Sequence, residues 1–151
     1  SGLTALANQG TNALVNGNVP QRLGSTHPNI APYGDLLHCR DGQIVLAVGS
    51  DNQFRGLCDV LGRMDIVQCP EFSSNASRVE YRDALMLELN KASRDWMRDD
   101  LHQTLHKAKV PAGAVLNVLE ALAQPDIAER YVVNEDGLPR LKTSAIAIGG
   151  H

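Results

Sequence analysis

The side chains best suited to chemistry are five histidines, three cysteines and a pair of arginines, and their spacing decides what each can do. His102 and His106 stand one helical turn apart, so two imidazoles on one helix face could share a metal ion. The sequence places no carboxylate or thiol as a third ligand, and the pair reads as part of a solvated helix face. His27 follows Ser25-Thr26, but adjacent residues cannot reach the geometry of a nucleophile and its base, and no orienting acid is indicated. In its own context His27 fixes the turn before Pro28; His38 and His151 read as incidental. Cys39, Cys58 and Cys69 are odd in number and lack metal spacing, so they read as reduced thiols of a cytosolic protein. Cys58 falls on an apolar helix face and reads as core. Arg78 and Arg82 could hold an anion, but with Glu80 and Asp83 beside them they read first as partners in local helix salt bridges. Neither G-x-G-x-x-G nor G-K-[ST] occurs, so the sequence has no glycine-rich phosphate loop.

Composition narrows the classes further. A chain of 151 residues suffices for one domain with its own core, and 43% hydrophobic content is ordinary for a globular protein. A formal charge of −3 gives no basic footprint for nucleic acid or an anionic membrane. No apolar run reaches the length of a membrane span, and no charged-then-apolar signal segment is present. The expectation is a cytoplasmic protein that binds neither nucleic acid nor membrane.

The elements that position these residues are organised around residues 22–62. Pro28 and Pro32 hold RLGSTHPNIAPY out of helix as an extended linker. Residues 34–39 form a candidate strand, Arg40-Asp41-Gly42-Gln43 carries an Asp-Gly turn signal, and residues 43–49 form an apolar, β-branched strand. Asp51 is the expected cap of a helix whose Phe54, Leu57, Cys58 and Leu61 recur at helical spacing. Upstream, residues 2–15 make a weak helix, with Leu3, Leu6 and Leu14 on a stripe interrupted by Gly10. Downstream, Gly62 stops the chain, residues 63–67 form one turn, and residues 68–74 form a loop. Asn75 is the expected cap of a helix over 76–92 with Val79, Leu85, Met86 and Leu89 inward. Ser93 is the expected cap of the next, to about Lys109, with Trp96, Met97, Leu101, Leu105 and Ala108 as its core stripe. Residues 110–116 read as extended, residues 118–123 as a brief helix, and residues 131–133 and 138–143 as a hairpin about Asn134-Glu135-Asp136-Gly137. The expected fold is α+β: a small antiparallel sheet with hairpins packed against three or four helices, after an N-terminal helix and an extended linker.

The order of these residues resembles one family. The text R-x-G-x-x-H-P-x-I-x-P-Y, then D-G-x-I-x-L-A-V-G-x-D-x-Q-F, then L-C-x-V-L-G is similar to the small domain of class III CoA-transferases, a group that includes formyl-CoA and carnitine CoA-transferases and acyl-CoA racemases. The likeness continues through Pro70-Glu71-Phe72, Asn75, Arg78, Arg82, Val110-Pro111-Ala112-Gly113 and Glu129-Arg130. The resemblance implies a helix and interdomain linker over 1–33, the small domain over 34–143 and a flexible tail over 144–151. In such enzymes a Rossmann-like large domain binds CoA and supplies a nucleophilic aspartate. The small domain covers the acyl site, and two chains interlock as a dimer. His27, Pro28, Asn29, Ile30, Pro32 and Tyr33 are then expected to line the substrate.

None of the aspartates here matches the nucleophile. The expectation is therefore no catalytic residue and no metal in this chain. A CoA thioester is the substrate of the parent enzyme and not a cofactor of this piece. Formyl-CoA transferases carry a glycine-rich loop near the linker; Ser25 to Gly34 has no glycine run, so formyl or oxalyl transfer is not favoured over other activities. The expected partner is the large domain or a second copy of the chain. The alternatives are a racemase fragment, or a truncated product acting as a binding or dimerising module.

Overall fold

The Asp41-Gly42 turn closes a hairpin. The Cys39 N–H donates to the Gly42 carbonyl at 2.8 Å, and β1 (Tyr33–His38) pairs antiparallel with β2 (Gln43–Ala47), Leu37 facing Ile44 and His38 facing Gln43. Between Tyr33 and Leu36 the register shifts, so β1 carries a bulge at Gly34-Asp35. A third strand, β3 (Ala112–Val115), lies beyond β2 in the order β1-β2-β3. The computed structural model describes Val15, residues 24–135 and residues 138–141, and the chain forms two compact units, 1–113 and 114–151. The expected N-terminal helix and tail lie outside the described residues, except Val15, which is helical.

In the first unit, helices bury the inner face of the hairpin. They are α1 (Asp51–Val60), α2 (Met64–Gln68), α3 (Asn75–Glu80), α4 (Arg82–Ser93) and α5 (Arg98–Lys107), with a 3-10 turn at Pro70–Phe72. Leu37, Ile44, Leu46 and Val48 meet Phe54, Leu57 and Cys58 of α1, Leu85 and Leu89 of α4, and Leu101 and Leu105 of α5 in one core. The expected α1 stripe is buried as read. The stripe expected on α5 is narrower: Leu101 and Leu105 are buried, whereas Met97 and Ala108 are exposed.

The helix caps differ from the sequence expectation at three places, each for a local reason. Ser50, not Asp51, caps α1. Its side chain accepts from the Gln53 N–H at 3.3 Å, and the Gln53 amide oxygen accepts the Ser50 N–H at 3.1 Å, a capping box that leaves the Asp51 carboxylate free for other work. Ser74, not Asn75, caps α3, and the expected long helix breaks at Tyr81 into α3 and α4. Ser93 ends α4 instead of starting the next helix; it is buried and donates to the His38 carbonyl at 2.9 Å. The first turn of α5 is held from outside, where Asp41 of the hairpin turn accepts the Arg98 N–H at 2.7 Å.

α4 also covers the outer edge of β1. The Asn90 side-chain oxygen accepts the His38 N–H at 2.7 Å, so the edge strand does not present that donor to solvent. At the end of α1 the chain reverses in a Schellman motif: the Arg63 N–H donates to the Cys58 carbonyl at 2.7 Å and the Gly62 N–H to the Asp59 carbonyl at 3.0 Å. Gly62 takes the left-handed backbone this requires, φ +66°.

The second unit holds α6 (Val118–Leu122), started by an Asn117–Glu120 capping box, then α7 (Pro125–Tyr131) and the hairpin of β4 (Val132–Glu135) with β5 (Leu138–Leu141). Val132 pairs with Leu141 and Glu135 with Leu138, as the expected second hairpin requires. α7 was not expected from the sequence: Pro125 is a favoured first helical residue, because its missing N–H would be unsatisfied there anyway. The fold is α+β. None of the described helices is long and apolar enough to cross a membrane.

Gly34 is the tightest point of the bulge. Its φ is +76°, and a Cβ built there would lie 1.8 Å from the Ser25 carbonyl oxygen. The left-handed backbone costs a residue with a Cβ roughly 1–2 kcal/mol, and the backbone clash adds to it. Gly34→Ala is therefore expected to lower the unfolding free energy in urea by more than ~2 kcal/mol.

Candidate functional site

Residues 24–32, expected as part of an extended linker, are folded into successive turns with no helix or strand of their own, and lead into β1 at Tyr33. Such a segment must find partners for its polar backbone. Here side chains from α3 and α4 supply them. Arg82 Nη2 donates to the carbonyls of His27 at 2.6 Å and Ile30 at 2.8 Å. Asn75 Nδ2 donates to the Asn29 carbonyl at 2.8 Å, and its Oδ1 accepts the Ala31 N–H at 3.1 Å. Arg78 Nε donates to the Ala31 carbonyl at 3.0 Å. Within the loop, the His27 N–H reaches the Tyr33 carbonyl at 2.8 Å, and His27 Nδ1 accepts the Asn29 N–H at 3.1 Å. The His27 ring meets Tyr33 edge-on, centroids 5.5 Å apart. So the His27 ring holds the turn at Pro28-Asn29, where the sequence placed it before Pro28.

The two arginines are not the local helix salt bridges that the sequence suggested. Arg78 is 3% exposed and reaches across the fold: its Nη1 donates to the Phe72 carbonyl at 3.2 Å, its Nη2 pairs with Asp51 at 2.7 Å, and its guanidinium lies 4.4 Å over the Phe54 ring. Arg82 Nη1 pairs with Asp35 at 2.6 Å, and the other contact on that carboxylate oxygen is the Tyr33 N–H at 3.0 Å. Asp35 is buried and was not singled out from sequence. The bulge in β1 is what places its carboxylate between Tyr33 and Arg82. One signal was available: Asn75, Arg78 and Arg82 recur at i, i+3 and i+7, a helical stripe of long donors where an apolar stripe would ordinarily be. Among the described residues, no buried side-chain nitrogen or oxygen lacks a partner.

Beside the clamp lies an open cleft of about 530 Å³, walled by Ser25, Thr26, Leu36 and His38 on one side and Arg82, Asp83, Met86 and Asn90 on the other. None of the six expected lining residues forms its wall. Asn29 and Tyr33 are exposed on the loop, His27, Pro28 and Ile30 are half-buried, and Pro32 is buried, its carbonyl accepting the Val48 N–H at 3.2 Å. Pro32 therefore supports the loop from beneath.

The remaining candidates are structural. His102 Nε2 lies 3.3 Å from the Ala112 carbonyl, and His106 is exposed. Cys58 is fully buried, and burial, followed by the charge of Asp65, pushes its thiol up to about 12. Burial and then Asp41 raise Cys39 as well.

Comparison with known proteins identifies the class. The sequence model of CoA-transferase family III matches residues 1–147, and the chain belongs to that family. It is 37% identical over 147 residues to the succinate–glutarate CoA-transferase of Agrobacterium fabrum, covering 93% of this chain and 36% of that protein. It is 33% identical over 135 residues to the acetyl-CoA:oxalate CoA-transferase of Acetobacter aceti, covering 89% of this chain and 34% of that one. A solved CAIB/BAIF family protein from Brucella suis superposes with a TM-score of 0.81 at 38% identity, over 96% of this chain and 38% of that chain. The chain thus spans about a third of the length of the curated relatives it matches.

Two outcomes follow from the burial of these groups. Arg78→Met keeps the aliphatic stem but leaves the Ala31 and Phe72 carbonyls without their donor, and is expected to cost about 2–4 kcal/mol in a urea titration. In thiol labelling at pH 8, Cys58 is expected to react only after denaturation, because its thiolate is disfavoured by burial and the sulfur is closed to reagent.

Proposed function

We propose that this chain is the small, acyl-site-covering domain of a class III CoA-transferase, part of an enzyme that moves CoA between carboxylic acids. The observation that carries this reading is the clamped loop from His27 to Tyr33. A segment without secondary structure up to Tyr33, where β1 begins, is fixed by charged and amide side chains from two helices, while Asn29 and Tyr33 remain exposed at its surface. Such a loop can present a defined surface to a substrate held by another domain. His27, Asn29 and Tyr33, with Pro28 and Ile30 at the margins, would line the acyl group; Pro32 would act by shaping the loop.

The chemistry itself belongs elsewhere in such an enzyme. A nucleophilic carboxylate must be free to attack the thioester carbonyl and expel the CoA thiolate. Asp35 is the buried carboxylate nearest the loop, and it is held by Arg82 and the Tyr33 N–H. It serves as an anchor, which supports the reading that the chain alone has no turnover. Its partner is the large domain of such a protein or a second copy that brings one. The relatives named above are transferases, which supports transfer over racemisation, and succinate, glutarate and oxalate are the first acids to assay.

The test grafts residues 22–143 in place of the matching segment of the Agrobacterium enzyme. The chimaera is expected to transfer CoA between succinate and glutarate, and the isolated chain to show no turnover. Turnover of an acyl-CoA by the isolated chain, abolished by replacing one of its own aspartates, would sink the reading.

A further inference from the structure

Arg78 and Arg82 hold the same loop but are embedded differently. Arg78 also touches Phe54, Phe72 and Asp51, so it is part of the core's support. Arg82 is 14% exposed at the wall of the cleft, and its hydrogen bonds run to Asp35 and to the loop carbonyls of His27 and Ile30. Asp35 in turn accepts the Tyr33 N–H, where the loop enters β1. The contacts close a ring: bulge, Asp35, Arg82, the loop carbonyls, Tyr33 and the bulge again.

We propose that Arg82 is a positioning residue for the His27–Tyr33 loop: paired with Asp35, it sets the loop's conformation at the substrate surface without carrying the core beneath it. This rests on the reading of the loop as acyl-site lining. The physical ground is the guanidinium fork. One planar group donates to a carboxylate and to two carbonyls that lie three residues apart, a set of directions a point charge cannot match. Removing it should release the loop as a local opening, because the hydrogen bonds of Arg82 run to Asp35 and the loop carbonyls, whereas Leu57, Leu89 and Leu101 are held by apolar packing.

The test is residue-resolved amide hydrogen exchange on the full chain. In Arg82→Gln the amides of His27, Ala31 and Tyr33 are expected to exchange at least about tenfold faster, while those of Leu57, Leu89 and Leu101 stay within about twofold of the native rates. Arg82→Lys should give an intermediate loop rate, since the ammonium can meet Asp35 but not both carbonyls as well. Asp35→Asn, which keeps the guanidinium and removes its charged partner, should give the same loop-limited pattern. Native protection of the loop in either Arg82→Gln or Asp35→Asn, or loss of protection throughout the unit in both, overturns the proposal. In the chimaera, Arg82→Gln should raise KM for the acyl-CoA about tenfold with kcat within about twofold, the split expected when uniform binding is lost. An unchanged KM in an active chimaera also overturns it. An inactive unsubstituted chimaera counts against the functional reading, and the exchange rates then decide the clamp by themselves.

Discussion

The structure depends on the satisfaction of one irregular segment. Residues 24–32 contain two prolines and no regular element, so their backbone cannot pair with itself as a helix or a sheet does. Asn75, Arg78 and Arg82 act as substitutes for a ladder, delivering donors to the carbonyls of four loop residues. A buried arginine is ordinarily a liability, because desolvation offsets much of the gain from its ion pair. Here the guanidinium of Arg78 also meets two carbonyls and an aromatic face, so the cost of burial is offset by several partners at once.

The same helices that hold the loop also close the sheet. α4 contributes Arg82 at its start, Leu85 and Leu89 to the core, and Asn90 and Ser93 to the edge of β1 near its end. A shift of α4 would therefore disturb the loop, the core and the strand edge together. The bulge in β1 joins the two systems. Gly34 allows the chain to pass close to Ser25, and the extra residue turns Asp35 toward Arg82. This coupling gives a loop on a rigid base, the arrangement expected where a surface must keep its shape against a ligand.

Much of this was legible in the chain. The Asp41-Gly42 turn, the apolar strand that follows it and the spacing of Phe54, Leu57, Cys58 and Leu61 depend on contacts within a few residues, and each appears as read, as does the pairing of β4 with β5. The family text was equally local, an ordered string of residue types. The caps were less legible because Ser50-Asp51 and Ser74-Asn75 each place two good capping residues side by side. Which one caps is decided by what the other touches in the fold: Asp51 goes to Arg78, and Asn75 goes to the loop.

The tertiary structure alone decided the role of the arginines. Local spacing offered Glu80 and Asp83 as partners for Arg78 and Arg82, and a helix surface pair of that kind stabilises by only about 0.2–0.5 kcal/mol. Partners more than forty residues away in the loop win because their carbonyls are at least partly withdrawn from water and belong to a segment with no ladder of its own. Nothing in the linear order of His27, Asn29, Ile30 and Ala31 reveals that their carbonyls will be unpaired until the loop is laid against α3 and α4. The sequence by itself determined the first hairpin, the α1 stripe and the family. The fold determined which polar groups would be left without water, and so where the long side chains had to go.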